Sequence, residues 1–132
     1  MIRRWDPAVS HRGPHAEAFV RGFFGGRRVV AVAGAGFDPR ARVALEQVAA
    51  AGADLKGLLI REARPNPAGG EGSLADNNQG VLEQASAGLN TVEVAIFDTD
   101  GAVVGGRNAV LVLRDLDLDG CDDVIVDLSA LS

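Results

Sequence analysis

The chain has 132 residues, of which 47% are hydrophobic, and this is enough for a single domain with a buried core. Its 13 basic and 18 acidic side chains give a net charge of −5, which argues against general nucleic-acid binding. No apolar run approaches the roughly 20 residues of a membrane span, and one cysteine, Cys121, excludes an internal disulfide. The sequence therefore predicts a cytoplasmic protein that does not bind membranes.

The first 27 residues are predicted to form an N-terminal helical extension. Pro14 stands where the first helical residue would be, and Gly25-Gly26 would end the helix. The helix is predicted to cover the sheet with four apolar side chains, those of Phe19, Val20, Phe23 and Phe24.

The stretch from Arg28 to Arg42 predicts the opening of a Rossmann-like unit. Its apolar run, Val29–Ala33, is typical of a strand buried on both faces. A Gly34-Ala35-Gly36 turn follows, and Asp38-Pro39 leads into a helix predicted over 39–51 that Gly52 would end.

Further strands and helices alternate along the rest of the chain. The pattern predicts strands at Leu55–Ile60, Thr91–Phe97 and Asp123–Val126, a Pro/Gly-rich loop over 63–72, and a helix over 74–87 with a Ser73/Asp76 capping box and Gly88 as its stop. Residues 102–116 fit a returning hairpin strand or a short helix. We favour the helix, because a crossover is needed to bring the last strand alongside in parallel.

These elements predict an α/β fold, a Rossmann-like three-layer sandwich with a mostly parallel sheet of about four strands, in one domain over 1–132. Only a few residues follow the last strand, so no helix is predicted to cover that side of the sheet. We therefore expect a domain fragment of a longer protein, or a domain whose missing layer comes from a partner or a second copy.

Ligands of an open parallel sheet bind beyond the carboxyl ends of its strands. The chain places glycines, arginines and carboxylates there, and these can approach an anion, neutralise it, and hold ribose hydroxyls or Mg²⁺. We predict a nucleotide or another phosphorylated small molecule as ligand, without assigning catalytic residues. The predicted ligand-binding residues are Gly34, Gly36, Asp38, Arg40, Arg61, Glu62, Asp98 and Asp127, with Ser129 shortly after the last strand.

The segment GAGFDPRA, starting at Gly34, resembles the first motif of S-adenosylmethionine-dependent methyltransferases of the leucine carboxyl methyltransferase type, whose loop reads close to GAGLDTR. The resemblance implies that the glycines approach S-adenosylmethionine, that Glu62 binds its ribose, and that Asp98 lies near the adenine. Pro39 departs from the family, which has a polar residue there. A fragment of such an enzyme is thus one alternative, and a non-catalytic interaction module of a multidomain protein is another.

Two aspartate-rich motifs have simpler explanations. The segment Ile96–Gly101 is similar to the nucleophile motif of haloacid-dehalogenase-type phosphatases, but the 31 residues after it contain no lysine, so we predict a turn. The aspartates at 115, 117, 119 and 123 match the spacing of integrin-type FG-GAP calcium loops, yet a single copy makes no propeller, so we predict an acidic loop. His11 and His15 lack a third ligand nearby in sequence, and no metal site is predicted.

Overall fold

A computed structural model describes residues 8–63 and 69–129, which alternate between helices and parallel strands. The elements are α1 (Pro14–Phe23), β1 (Arg28–Gly34), a 3-10 helix (Pro39–Arg42), α2 (Val43–Ala50), β2 (Asp54–Ala63), α3 (Glu71–Ala85), β3 (Gly88–Ala95), α4 (Gly105–Leu113) and β4 (Asp123–Asp127). None of the helices within these ranges is both long and apolar enough to cross a membrane. Most of the predicted loop over 63–72, and the first seven residues of the predicted extension, lie outside the described residues.

The four strands form one parallel sheet in the order β3-β2-β1-β4. In register, Gly34 of β1 lies opposite Ile60 of β2, and Ala33 lies opposite Asp127 of β4. The chain steps from β1 to β2 in one direction and later returns to place β4 on the other side of β1. The α/β, Rossmann-like prediction is therefore confirmed, and the strand order reverses between β1 and β4.

The core has one layer on each face of the sheet. On one face, β1 contributes Val29, Ala31 and Ala33 to a cluster that includes Leu45 of α2 and Leu82 of α3. On the other face, Val32, Ile60 and Val94 pack against α4 through Ala109, Val112, Leu113 and the following Leu116. Leu45 and Leu82 are fully buried, and burial of a leucine side chain stabilises a fold by about 1.5–3 kcal/mol. These layers hold the ends of the strands in fixed positions.

Helix α1 contacts α2 instead of lying flat on the sheet as predicted. Phe24 is buried in the core cluster with Val20 packed against it, whereas Phe19 and Phe23 are 38% and 39% exposed. Phe19 stacks on Phe23 with 4.9 Å between ring centroids, and the Arg27 guanidinium lies 4.5 Å from the Phe23 ring centroid. Two of the four predicted apolar side chains, Phe19 and Phe23, thus stack on each other at the surface and are not buried against the sheet.

Strand β2 is longer than its apolar run. Arg61, Glu62 and Ala63 continue the strand beyond Ile60, because they pair with residues 93–95 of β3. Strand β3 correspondingly begins at Gly88, which the prediction had used as a helix stop, and ends at Ala95, two residues before the predicted end. Apolar periodicity misses such residues, since polar side chains can occupy strand ends that meet water.

The predicted capping box of α3 is wrong. The helix begins at Glu71, three residues earlier than expected, after Gly70 in a left-handed conformation with a φ of 89°. Ser73 therefore lies inside the helix, and Asp76 forms an ion pair with Arg61. Asp76 is thus used in a contact with β2 and not in the local cap that the spacing predicted.

Residues 102–116 contain parts of both predicted alternatives. A single antiparallel bridge joins Phe97 to Val103 around the turn at Asp98–Gly101, and α4 follows from Gly105. The helix that we favoured is therefore confirmed as the crossover to β4.

Two arginine–aspartate pairs fasten β4 to β1 at the amino edge of the sheet. Arg27 donates to both carboxylate oxygens of Asp123, at 2.6 and 3.1 Å. Arg28 donates to Asp122 from its guanidinium at 3.0 Å and from its backbone N–H at 2.8 Å. The end of the acidic loop thus pairs with the basic start of β1.

The pair of Asp122 with Arg28 predicts a loss of stability in acid. Hydrogen bonds from the Arg28 guanidinium and backbone lower the pKa of Asp122 to about 2, against about 3.9 in an unfolded chain. Because the folded-state pKa is the lower one, the pair stabilises the fold above about pH 4, and this contribution disappears as the pH falls toward 2.

Denaturant unfolding between pH 7 and pH 2 checks this expectation. Asp122→Asn should lower the free energy of unfolding at pH 7 and flatten its dependence on pH below 5. Asp115→Asn, a change at an exposed residue of the same loop, is the control and should leave the profile unchanged. Identical profiles for the wild type and Asp122→Asn would contradict the assignment.

Candidate functional site

The carboxyl edge of the sheet has a notch where β1 and β4 end. Strand β1 stops at Gly34, while β2 and β3 continue side by side for three more residues, 61–63 paired with 93–95. At about 3.3 Å per residue, β2 and β3 therefore extend about 10 Å further along the strand direction than β1 does. We call the region formed by Gly34–Arg40 and Asp127–Ser129 the carboxyl-edge notch, and it lies at the point where the strand order reverses.

The turn after β1 is held in place from β2 and from α3. The Ala35 N–H donates to the carbonyl of Ile60 at 2.8 Å. The Asn78 side chain, only 4% exposed, donates from Nδ2 to the carbonyls of Gly36 and Asp38, both at 2.9 Å. Three hydrogen bonds thus anchor the turn to β2 and α3.

Asn78 is a site residue that the sequence analysis missed. It falls on the buried face of α3 with Ala75 and Leu82, at the i, i+3 and i+7 positions of an otherwise apolar stripe. A polar residue at such a position needs a hydrogen-bond partner inside the protein. An asparagine among the apolar residues of this helix face therefore indicated a structural hydrogen bond. The pattern did not indicate which backbone groups Asn78 would bind.

The two glycines of the turn do not have the left-handed backbone conformation that would require glycine. Gly34 is buried and Gly36 half-buried, and the glycines with positive φ in the described ranges lie elsewhere. Within the same ranges, the backbone N–H groups of Gly36 and Phe37 donate to no protein acceptor. The turn thus combines little side-chain bulk with free donors, which is what close approach of an anion requires.

Asp38 and Arg40 lie at the notch but bind each other. Asp38 accepts from the Arg40 backbone N–H at 2.8 Å, which starts the 3-10 helix, and from the guanidinium at 2.6 Å. The guanidinium and then this backbone bond lower the pKa of Asp38 to about 2. Asp38 is therefore an ionised cap, while the Arg40 side chain is 75% exposed and faces solvent.

The end of β4 closes the other side of the notch. Asp127 Oδ1 accepts from the Ser129 N–H at 2.9 Å and from Ser129 Oγ at 2.6 Å. Ser129 Oγ also lies 3.3 Å from the Arg40 carbonyl, which links β4 to the 3-10 helix. In the described part of the chain, Asp127 Oδ2 is the buried side-chain atom that lacks a hydrogen-bond partner. A buried carboxylate oxygen without a hydrogen-bond donor lowers the stability of the fold, so a ligand that donates to this oxygen would be stabilising.

Three predicted residues lie away from this notch or are otherwise engaged. Arg61 contacts Asp76 and donates to Gln79 at 2.9 Å, so it is committed to α3. Glu62 is the next residue of β2, and strand alternation directs it to the opposite face. Asp98 accepts from the Thr99 N–H at 2.7 Å in the turn after β3.

The strand order separates Asp98 from the notch. Strands β2 and β1 lie between β3 and β4, and three strand spacings amount to about 14 Å. The structure therefore brings together five of the predicted residues, namely Gly34, Gly36, Asp38, Arg40 and Asp127.

The donors and acceptors of the notch suit a ligand with an anionic group and a hydroxyl group. Backbone N–H groups and an exposed guanidinium are donors to an anion, and a carboxylate beside a serine accepts from hydroxyls. Over residues 8–63 and 69–129, no group of three or more His, Cys, Asp or Glu side chains could hold a metal ion. The chain matches no protein-family model, no curated protein and no solved structure, so its function has to be argued from this geometry.

Proposed function

We propose that the chain binds a nucleotide or another phosphorylated small molecule in the carboxyl-edge notch. The observation that carries the proposal is the reversal of strand order between β1 and β4, directly beside a glycine turn that Asn78 holds in shape. Open α/β sheets bind their ligands at such a reversal, because the connections diverge there and leave a crevice.

The phosphate is expected at the turn. It would accept from the N–H groups of Gly36 and Phe37, which donate to no backbone carbonyl of the described residues, and the absence of a side chain at Gly36 allows close approach. Arg40 would supply positive charge, since its guanidinium is exposed and can contact a phosphate while remaining beside Asp38.

The hydroxyl-bearing part of the ligand is expected at the end of β4. Asp127 Oδ2 lacks a donor, and Ser129, which donates to the other oxygen of the same carboxylate, is exposed, so a ligand hydroxyl that reaches Asp127 would have to displace the Ser129 side chain. A ribose or similar hydroxyl donating to Asp127 would stabilise this oxygen. The proposal leaves catalysis unassigned and includes the cytoplasmic location predicted from the sequence.

S-adenosylmethionine is the alternative ligand that the GAGFDPRA motif favours. The motif occupies the turn after β1, and Glu62 lies in the last residues of the adjacent strand β2. A ribose held by Glu62 would lie on the β2 side of the turn, whereas the nucleotide proposed above lies on the β4 side. The two ligands therefore predict sensitivity to different carboxylates.

A thermal-shift screen tests the proposal. The panel comprises adenosine and guanosine nucleotides, NAD and S-adenosylmethionine, each with and without Mg²⁺. A ligand at 100 times its dissociation constant should stabilise the folded chain by about 2.7 kcal/mol, which raises the melting temperature by several degrees. If no member of the panel shifts the melting temperature of folded protein, the proposal fails and the interaction-module account is preferred.

A matched pair of arginine variants locates the binding. Arg40→Ala removes a guanidinium that is 75% exposed at the notch, and Arg21→Ala removes one that is 76% exposed on α1. Because both take part in surface ion pairs with near neighbours in sequence, both should change stability little. Only Arg40→Ala should weaken ligand binding, by about tenfold or more. Equal effects of the two variants would argue for nonspecific charge attraction.

A further inference from the structure

Strand β4 presents an open edge with exposed apolar side chains. No strand of the described chain lies beyond it in the sheet. Val124 and Val126 of β4 are 51% and 58% exposed, and Leu128, immediately after the strand, is 68% exposed. In register, the two valines lie opposite Val30 and Val32 of β1, so they occupy the face of the sheet on which α4 packs.

Helix α4 leaves this part of the face uncovered. It packs over Val32, Ile60 and Val94, which belong to β1, β2 and β3. Soluble proteins usually protect a free edge with lysine, proline, a bulge or a covering element. The sequence Asp123–Asp127 contains no lysine or proline, and its only charged side chains are the aspartates at its two ends. An apolar edge strand of this kind is suited to pairing with another strand.

We propose that the occupant is β4 of a second copy, paired antiparallel about a two-fold axis to give a continuous eight-stranded sheet. The register places Val126 opposite Val126 of the other copy and Val124 opposite its Leu128. Two-fold pairing brings the same apolar residues of both copies together, as self-complementary interfaces require. This inference does not rest on the proposed function, although residues 127–129 belong to both the notch and the edge.

The positions of the aspartates favour this register over its neighbours. A register centred on Ile125 would place Asp123 opposite Asp127 of the other copy, twice in each dimer, and like charges directly opposite are destabilising. A register centred on Val124 would place Val126 opposite the carboxylate of Asp122. In the proposed register Asp127 faces Ile125 and Asp123 faces Ser129, so no carboxylates face each other. Asp123 is in addition already paired with Arg27 of its own copy.

The mass of the protein in solution tests the pairing. We expect the full chain, of 13.7 kDa, to sediment with twice that mass at micromolar concentrations. Val126→Lys places two lysines opposite each other on the axis, and should raise the dissociation constant of the dimer by about 100-fold. Val103→Lys is the control, because Val103 is 76% exposed and bridges Phe97 beyond the end of β3, at the opposite edge of the sheet. A monomeric wild type, or a Val126→Lys variant that remains fully dimeric, would overturn the proposal.

Cross-linking tests the register without weakening the interface. In a Cys121→Ser background, Val126→Cys should form a disulfide-linked dimer on oxidation, since Cα atoms directly opposite in an antiparallel pair lie about 4.5–5.5 Å apart. Val124→Cys should not cross-link, because an offset of four residues separates the two copies by about 13 Å. Cross-linking of Val124→Cys in preference to Val126→Cys would overturn the register, and absence of cross-linking in both would overturn the interface.

Discussion

Replacing Gly57 with alanine is expected to destabilise the protein by at least about 3 kcal/mol, a large fraction of the roughly 5–15 kcal/mol that stabilises a typical domain. Gly57 lies in β2 opposite Ala31 of β1, and its φ is +153°. A Cβ atom there would lie 1.9 Å from the carbonyl oxygen of Ala31 and 2.7 Å from its backbone nitrogen and carbonyl carbon. These atoms belong to the central strand, so relief requires separating β1 from β2.

Gly80→Ala is the matched control, because it makes the same chemical change on the helix α3. No atom lies within 4 Å of a Cβ built at Gly80. Alanine within a helix is favoured over glycine by about 0.5–1 kcal/mol, so this variant should be more stable than the wild type. Denaturant midpoints of the two variants should shift in opposite directions. A Gly57→Ala variant as stable as the wild type would show that β1 and β2 do not pair in the described register.

Replacing Asn78 with aspartate should cost about 2–4 kcal/mol and abolish ligand binding. The substitution keeps the shape of the side chain but removes both hydrogen atoms that reach the carbonyls of Gly36 and Asp38. It also buries a carboxylate against two carbonyl oxygens at a residue that is 4% exposed. The turn after β1 would then lose its attachment to α3.

Asn77→Asp is the control for this prediction, because Asn77 is the exposed neighbour on the same helix. It should stay within about 0.5 kcal/mol of the wild type and keep its ligand affinity. The free energy of unfolding and the affinity should be measured together for both variants. If Asn78→Asp were to bind ligand with unchanged affinity, Asn78 would not be shaping the site.

The fold was predictable because the strands of this protein are marked by composition. Val29–Ala33 is a continuous apolar run. Such a run is typical of a parallel strand that is covered on both faces, because every side chain is then buried. The crossover helix before β4 followed from topology, even though residues 102–116 alone were ambiguous. The wrong predictions concern the ends of single elements, namely the start of α3 and the length of β2. The extra length of β2 depends on its pairing with β3, which is distant in sequence.

The candidate site was predictable in its position and only partly in its contacts. The rule that ligands bind beyond strand ends led to Gly34, Gly36 and Asp127, which the strand order places side by side. The partners of the charged residues were not predicted. Arg61 forms an ion pair with Asp76 on α3, and Asp38 forms one with Arg40. The role of Asn78 depends on how α3 packs against the turn, and helix periodicity carries no information about that.

The ligand site itself is tested most directly by amide chemical shifts. We would titrate the ¹⁵N-labelled full chain with the nucleotide that gives the largest thermal shift and follow every assigned amide. We expect the largest shifts at Gly36, Phe37, Arg40 and Ser129, with smaller ones around Asn78 on α3. Shifts confined to the amino edge around Arg28 and Asp122, or to α1, would contradict this expectation.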